Sequence, residues 1–137
     1  MFKKILVPFD GSTCAGGALD VAIGMAKKYS SDIILATIQP VPALTIRAAL
    51  NQEGACAEAQ KEQSPAKEKL DKAGIKFTAV TECGDPAEAI LKIAKEQQAN
   101  VIIMGSRGLS GLSELLLGSV STKVVQLAKV PVLVCKN

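Results

Sequence analysis

Two glycine pairs set the chemistry this chain can do. Gly105-Ser106-Arg107-Gly108 is followed by nine residues and then by Gly118-Ser119. Glycines at the end of a strand let backbone amides approach an anion with no side chain between them. Gly118-Ser119 opens a helical pattern, and the free N–H groups and dipole of a helix start favour a phosphate. The hydroxyls of Ser119 and Ser121 add two candidate donors, and Arg107 a cation. A lone G-x-x-G reads as a turn. Here the apolar strand before it and the helix after it favour an anion site. A second candidate group is Asp10, which follows the apolar run Ile5-Leu6-Val7-Pro8-Phe9. Its plain alternative is a turn or cap residue.

Other chemistries are excluded. The chain contains no histidine, which removes the usual zinc sites, the Ser–His and Cys–His nucleophile pairs and the commonest general base. No G-x-x-x-x-G-K-[ST] P-loop is present, and no G-x-G-x-x-G follows the first strand. Neither a catalytic set nor a metal-ligand set is expected. The four cysteines, Cys14, Cys56, Cys83 and Cys135, form no C-x-x-C pair and suggest no disulfide framework. Cys14 falls at a helix start, where a redox thiol or a small half-buried residue would fit. Cys83 ends a strand, and Cys56 and Cys135 give no signal.

The elements that must position these groups alternate along the chain. Residues 2–8 read as a buried strand. Ser12 or Thr13 caps a helix whose stripe is Ala15, Ala18, Leu19, Ala22, Ile23 and Ala26. Asp32–Ile38 is a second buried strand, closed by Pro40 and Pro42. Residues 43–63 are the least legible. Ser64-Pro65 predicts a cap with proline at the first helical position, and Gly74 the end of that helix. Ile75–Cys83 reads as an edge strand. Gly84-Asp85-Pro86-Ala87-Glu88 is a helix start with Asp85 as cap. Asn100–Met104 is a strand apolar on both faces, Ser119–Lys129 a helix, and Val130–Lys136 the last strand. This alternation predicts an α/β fold, a doubly wound parallel sheet with helices on both faces, in one domain over residues 1–137. Ligands of such sheets bind beyond the carboxyl ends of the strands, where the winding reverses.

Composition agrees. Apolar residues make up 48% of the chain and aromatics only 3%, as suits a core of Val, Ile, Leu and Ala in a covered parallel sheet. A net charge of +3 with scattered lysines argues against nucleic acid as a partner. No apolar run is long enough for a membrane span, and Ile5–Phe9 is too short for a secretory core. A cytoplasmic location is expected.

The glycine motif, the opening Ile5-Leu6-Val7-Pro8-Phe9-Asp10-Gly11-Ser12, and the stretches Val101–Gly108 and Pro131–Val134 together resemble the universal stress protein family, in its ATP-binding branch. The resemblance covers the chain and is weak only across residues 43–70. It implies a five-stranded parallel sheet of order 3-2-1-4-5. It implies that Pro8 and Asp10 contact a nucleoside and that the Ile38 backbone reads the adenine edge. Met104 and Gly105 would line the ribose, with Arg107, Gly108, Gly118, Ser119, Val120 and Ser121 around the phosphates. Thr37 stands where the family often has histidine. ATP or AMP is the implied cofactor, with Mg2+ carried by the phosphates. The family commonly forms homodimers through the last strand, here Val130–Lys136, whose apolar run suits a covered edge.

Three functions follow as expectations. The first is a regulatory stress-response protein whose loop between Gly108 and Gly118 reports nucleotide state to a protein partner. The second is a slow ATP hydrolase or phosphotransfer enzyme, with Asp10 as the only candidate base and Arg107 as the nearby cation. The third is a nucleotide-free homodimeric interaction module; a flavin protein of similar topology is a more distant reading.

Overall fold

In the computed structural model the described residues are 2–39, 52–107 and 117–136, with 52–60 described by backbone alone. The elements are β1 (Lys4–Pro8), α1 (Thr13–Tyr29), β2 (Asp32–Gln39), α2 (Gln52–Lys72), β3 (Phe77–Cys83), α3 (Pro86–Glu96), β4 (Val101–Gly105), α4 (Ser119–Leu127) and β5 (Val132–Cys135). All neighbouring strands are parallel, in a five-stranded sheet of order β3-β2-β1-β4-β5.

The apolar strands require cover on both faces, and the two core clusters show how they obtain it. Ile5, Val7, Ile33, Leu35, Val101 and Ile103 pack with Ala18, Leu19 and Ala22 of α1 and Ala66 and Leu70 of α2. Leu6, Ile34, Ala36, Ile102 and Met104 pack on the opposite face with Ala87, Ile90 and Ile93 of α3 and Val124 of α4. The two-residue period of each strand thus sends alternate side chains to opposite helix pairs. Small residues on α1 let it lie close to the sheet, and the approach is tight at Gly105. A β-carbon there would lie 2.7 Å from Cys14 Cβ and 2.8 Å from the Cys14 carbonyl carbon.

Most helix ends follow local sequence. Ser12 caps α1 through its hydroxyl, which accepts from the Ala15 amide at 3.2 Å. Asp85 caps α3, its carboxylate accepting from the Glu88 amide at 3.0 Å, with Pro86 in the first turn. That amide holds the Asp85 carboxyl below the ordinary carboxylate value; partial desolvation opposes it, and nearby Lys123 adds to the lowering. Gly74, at φ +70, ends α2 as expected, with the amides of Gly74 and Ile75 donating to Asp71 O and Leu70 O.

Several boundaries differ from those read in the sequence. Ser64-Pro65 is not a helix start: α2 runs from Gln52 to Lys72 with Pro65 inside it. Proline removes one i→i−4 bond, to the Lys61 carbonyl. Lys61 and Pro65 both lie on the exposed face, where water can take that carbonyl's bond. The first strand begins at Lys4 rather than residue 2. The last is Val132–Cys135 rather than Val130–Lys136. Pro131 has no amide to donate, and only its carbonyl joins the sheet, accepting from Ile102 N at 3.0 Å. The edge position expected for the third strand is observed.

Candidate nucleotide-sized site at the strand reversal

The winding reverses between β1 and β4, and a cavity of about 450 Å³ opens beyond the carboxyl ends of β1, β2 and β4. Each wall can be traced to an element. β1 supplies Pro8 and leads to Phe9, Asp10 and Ser12. β2 ends in Ala36, Ile38 and Gln39. β4 ends in Met104 and Gly105 and leads to Arg107. α4 supplies Ser119, Val120 and Ser121 after Gly118. The structure therefore brings together every site residue named from the sequence except Gly108, which lies outside the described residues.

The connection from β1 to α1 is fixed by backbone and side-chain bonds. Phe9 N donates to Ala36 O at 2.8 Å, and the buried Thr37 hydroxyl donates to Phe9 O at 3.1 Å. Asp10 accepts from the Ser12 amide at 2.9 Å. Asp10 is thus a turn-forming carboxylate as well as a cavity-lining one, so the two readings of this residue are compatible.

The two helix starts at the cavity differ. α1 caps itself through Ser12. α4 begins at Gly118, which has no side chain to cap it. The Gly118 amide donates to Ser106 O at 2.7 Å, and the first amide known to bond back within the helix is Thr122 N, to Gly118 O at 3.0 Å. The amides of Ser119, Val120 and Ser121 are first-turn donors with no intrahelical acceptor. They form the end of the cavity suited to an anion.

The Ser121 hydroxyl does not join them. It is buried and donates to Ser106 O and Gly118 O, each at 3.0 Å. Its role is to clamp the helix start to the end of β4. Gly118 is tight as well, since an added β-carbon would meet Ser106 O at 3.3 Å. The missing β-carbon of Gly105 serves the approach of α1 described above, a packing reason invisible in the motif itself.

Sequence reasoning missed part of the wall. Glu62 of α2 and Pro86 and Ile90 of α3 line the cavity, together with Gln39. Glu62 fell in the stretch without legible pattern. Pro86 and Ile90 are four apart on one helix face, but only the strand order reveals that this face reaches the ends of β1 and β4. Among the described residues no group of three or more Cys, Asp or Glu side chains could hold a metal ion.

A parallel sheet wound both ways from β1, with its cavity at the reversal, is a doubly wound α/β domain. The chain belongs to the universal stress protein family, whose profile matches residues 1–136. It is 35% identical to universal stress protein YxiE of Bacillus subtilis, covering 99% of this chain and 100% of that one. Against MJ0577 of Methanocaldococcus jannaschii, the structures superpose with a TM-score of 0.90 at 32% identity, covering 100% of this chain and 97% of the other. A universal stress protein in complex with cAMP superposes with a TM-score of 0.66 at 26% identity, covering 98% and 97%. Among the described residues no helix is long and apolar enough to cross a membrane.

Proposed function

We propose that this protein binds an adenine nucleotide, ATP or AMP, in the cavity at the strand reversal and acts as a nucleotide-responsive regulator in stress physiology. The observation that carries this reading is the start of α4, which has no side-chain cap and whose first residues, Ser119, Val120 and Ser121, line a largely apolar cavity of a volume that suits a small ligand. In this arrangement the phosphates lie against Ser119, Val120 and Ser121, with Arg107 beside them. The nucleoside lies toward Pro8, Asp10, Ile38, Met104 and Gly105. A divalent cation such as Mg2+ would arrive with the phosphates. The cAMP complex of a relative supports the ligand class. Binding rather than turnover is the reading favoured, because Asp10 is engaged by the Ser12 amide and no histidine is available as a base.

Gently purified protein should release ATP or AMP on heat denaturation, detected by mass spectrometry. Added Mg-ATP should raise the melting temperature, by mass action on the native state. Absence of both the released nucleotide and the thermal shift would overturn the proposal.

We also place a homodimer contact at the β5 edge. Leu133 is 41% exposed there, and Val125 and Leu127 of α4 are exposed nearby in sequence. An unpaired apolar edge of this kind is suited to a second copy. A monomeric sedimentation coefficient at micromolar concentration would exclude it.

A further inference from the structure

Cys14 and Cys135 are 121 positions apart in the chain, and the fold brings them to one spot. Cys14 stands directly over Gly105, its β-carbon only 2.7 Å from where a Gly105 side chain would begin. Cys135 is the register partner of Gly105 across β4 and β5, and the Ser106 amide donates to its carbonyl at 2.9 Å. Cys135 also packs against the core cluster on the α1 and α2 side of the sheet. Both cysteines therefore lie on the same face of the sheet, one above Gly105 and the other beside it. Paired strands run about 4.8 Å apart, and a disulfide spans about 3.8 Å between β-carbons. The absence of a side chain at Gly105 is what lets Cys14 come this close to β4.

We propose that Cys14 and Cys135 are a latent dithiol, converted by hydroperoxides to an intramolecular disulfide that staples the first turn of α1 to β5. In the first step one thiolate attacks a peroxide oxygen. An S–O bond forms, the O–O bond breaks, and the sulfur becomes a sulfenic acid. In the second step the other thiolate attacks that sulfur, the S–S bond forms, and hydroxide leaves. The two thiol protons end in water, so two thiols and one hydrogen peroxide give one disulfide and two waters. A dithiol reductant reverses the change. Both thiols are free in the structure described here. Cys83 ends β3, at the opposite edge of the sheet, and is not a competitor within one chain. The staple would join the α1 end of the cavity wall to the exposed edge strand. It stands independently of whether the cavity holds a nucleotide.

The test is titration of the full chain at low micromolar concentration with hydrogen peroxide, followed by thiol counting, intact mass and peptide mapping. The expected result is a fall from the chain's four thiols to two, a monomer lighter by about two hydrogens, and a Cys14–Cys135 linked peptide that dithiothreitol removes. Cys14→Ser and Cys135→Ser should each abolish the link, whereas Cys83→Ser and Cys56→Ser should leave it. Circular dichroism of each variant establishes that it is folded. Linkage through Cys56 or Cys83, linkage between two chains, or oxidation to sulfinic acid without a disulfide would overturn the proposal.

Discussion

Gly105→Val is expected to destabilise the protein by about 3 kcal/mol or more, at the upper end of overpacking effects. The reason is the identity of the obstructing atoms. A β-carbon at Gly105 meets the Cys14 carbonyl carbon at 2.8 Å and the Ala15 nitrogen at 3.0 Å. These are backbone atoms in the first turn of α1, so no rotamer change relieves them. Either α1 lifts from the sheet or β4 bends. Both movements disturb Val101, Ile103 and Ala18, which share one core cluster. Urea denaturation of wild type, Gly105→Ala and Gly105→Val should show increasing loss. Cys14→Gly should restore little, because the backbone contact survives removal of its side chain. Full recovery in the double variant would show that the side chain alone sets the limit.

Gly118→Val is expected to weaken nucleotide binding more than tenfold, a loss of at least about 1.4 kcal/mol, with a smaller effect on stability than Gly105→Val. Gly118 has φ −64 and ψ 161, a conformation open to any residue, so the backbone is not strained by the substitution. The pressure falls on Ser106 O, 3.3 Å from the added β-carbon, and on Arg107 Cα at 3.6 Å. The branched methyls of valine must push the start of α4 away from the end of β4. That motion opens the Gly118–Ser106 hydrogen bond and misdirects the amides of Ser119, Val120 and Ser121. Isothermal titration with Mg-ATP gives the affinity and thermal melting gives the stability. An unchanged affinity would remove α4 from the proposed phosphate site. Gly118→Ala should show an intermediate loss.

Local sequence located the site better than it located its boundaries. Asp85-Pro86 announced α3 because capping chemistry is set by neighbours a few residues away, and the Glu88 amide meets Asp85 as that pattern requires. The glycine motif marked the start of α4 too, although Gly118 contributes no side-chain cap there. Pro65 misled because proline reads alike at the first turn of a helix and at an exposed position inside one. Its solvent-facing position in α2 is a tertiary fact. Glu62, Pro86 and Ile90 reach the cavity only through strand order, which periodicity leaves open. Gly105 lines the cavity, and the structure adds a packing duty toward α1 that the motif does not show. Cys135 carried no signal at all until β5 was placed beside β4.

The carbonyl of Ser106 accepts from both the Gly118 amide and the Ser121 hydroxyl, so the chain leaving β4 and the chain entering α4 are tied at a single point. The segment between them closes on its own anchor. The entropy of such closure grows only with the logarithm of length, and doubling the number of residues costs about 0.6 kcal/mol. Closure therefore sets only a weak limit on the number of residues in that interval, whereas Gly118, through its missing β-carbon, and Ser121, through its hydroxyl, are strongly constrained. Loss of the Ser121 hydroxyl would therefore loosen the end of β4 and the start of α4 together.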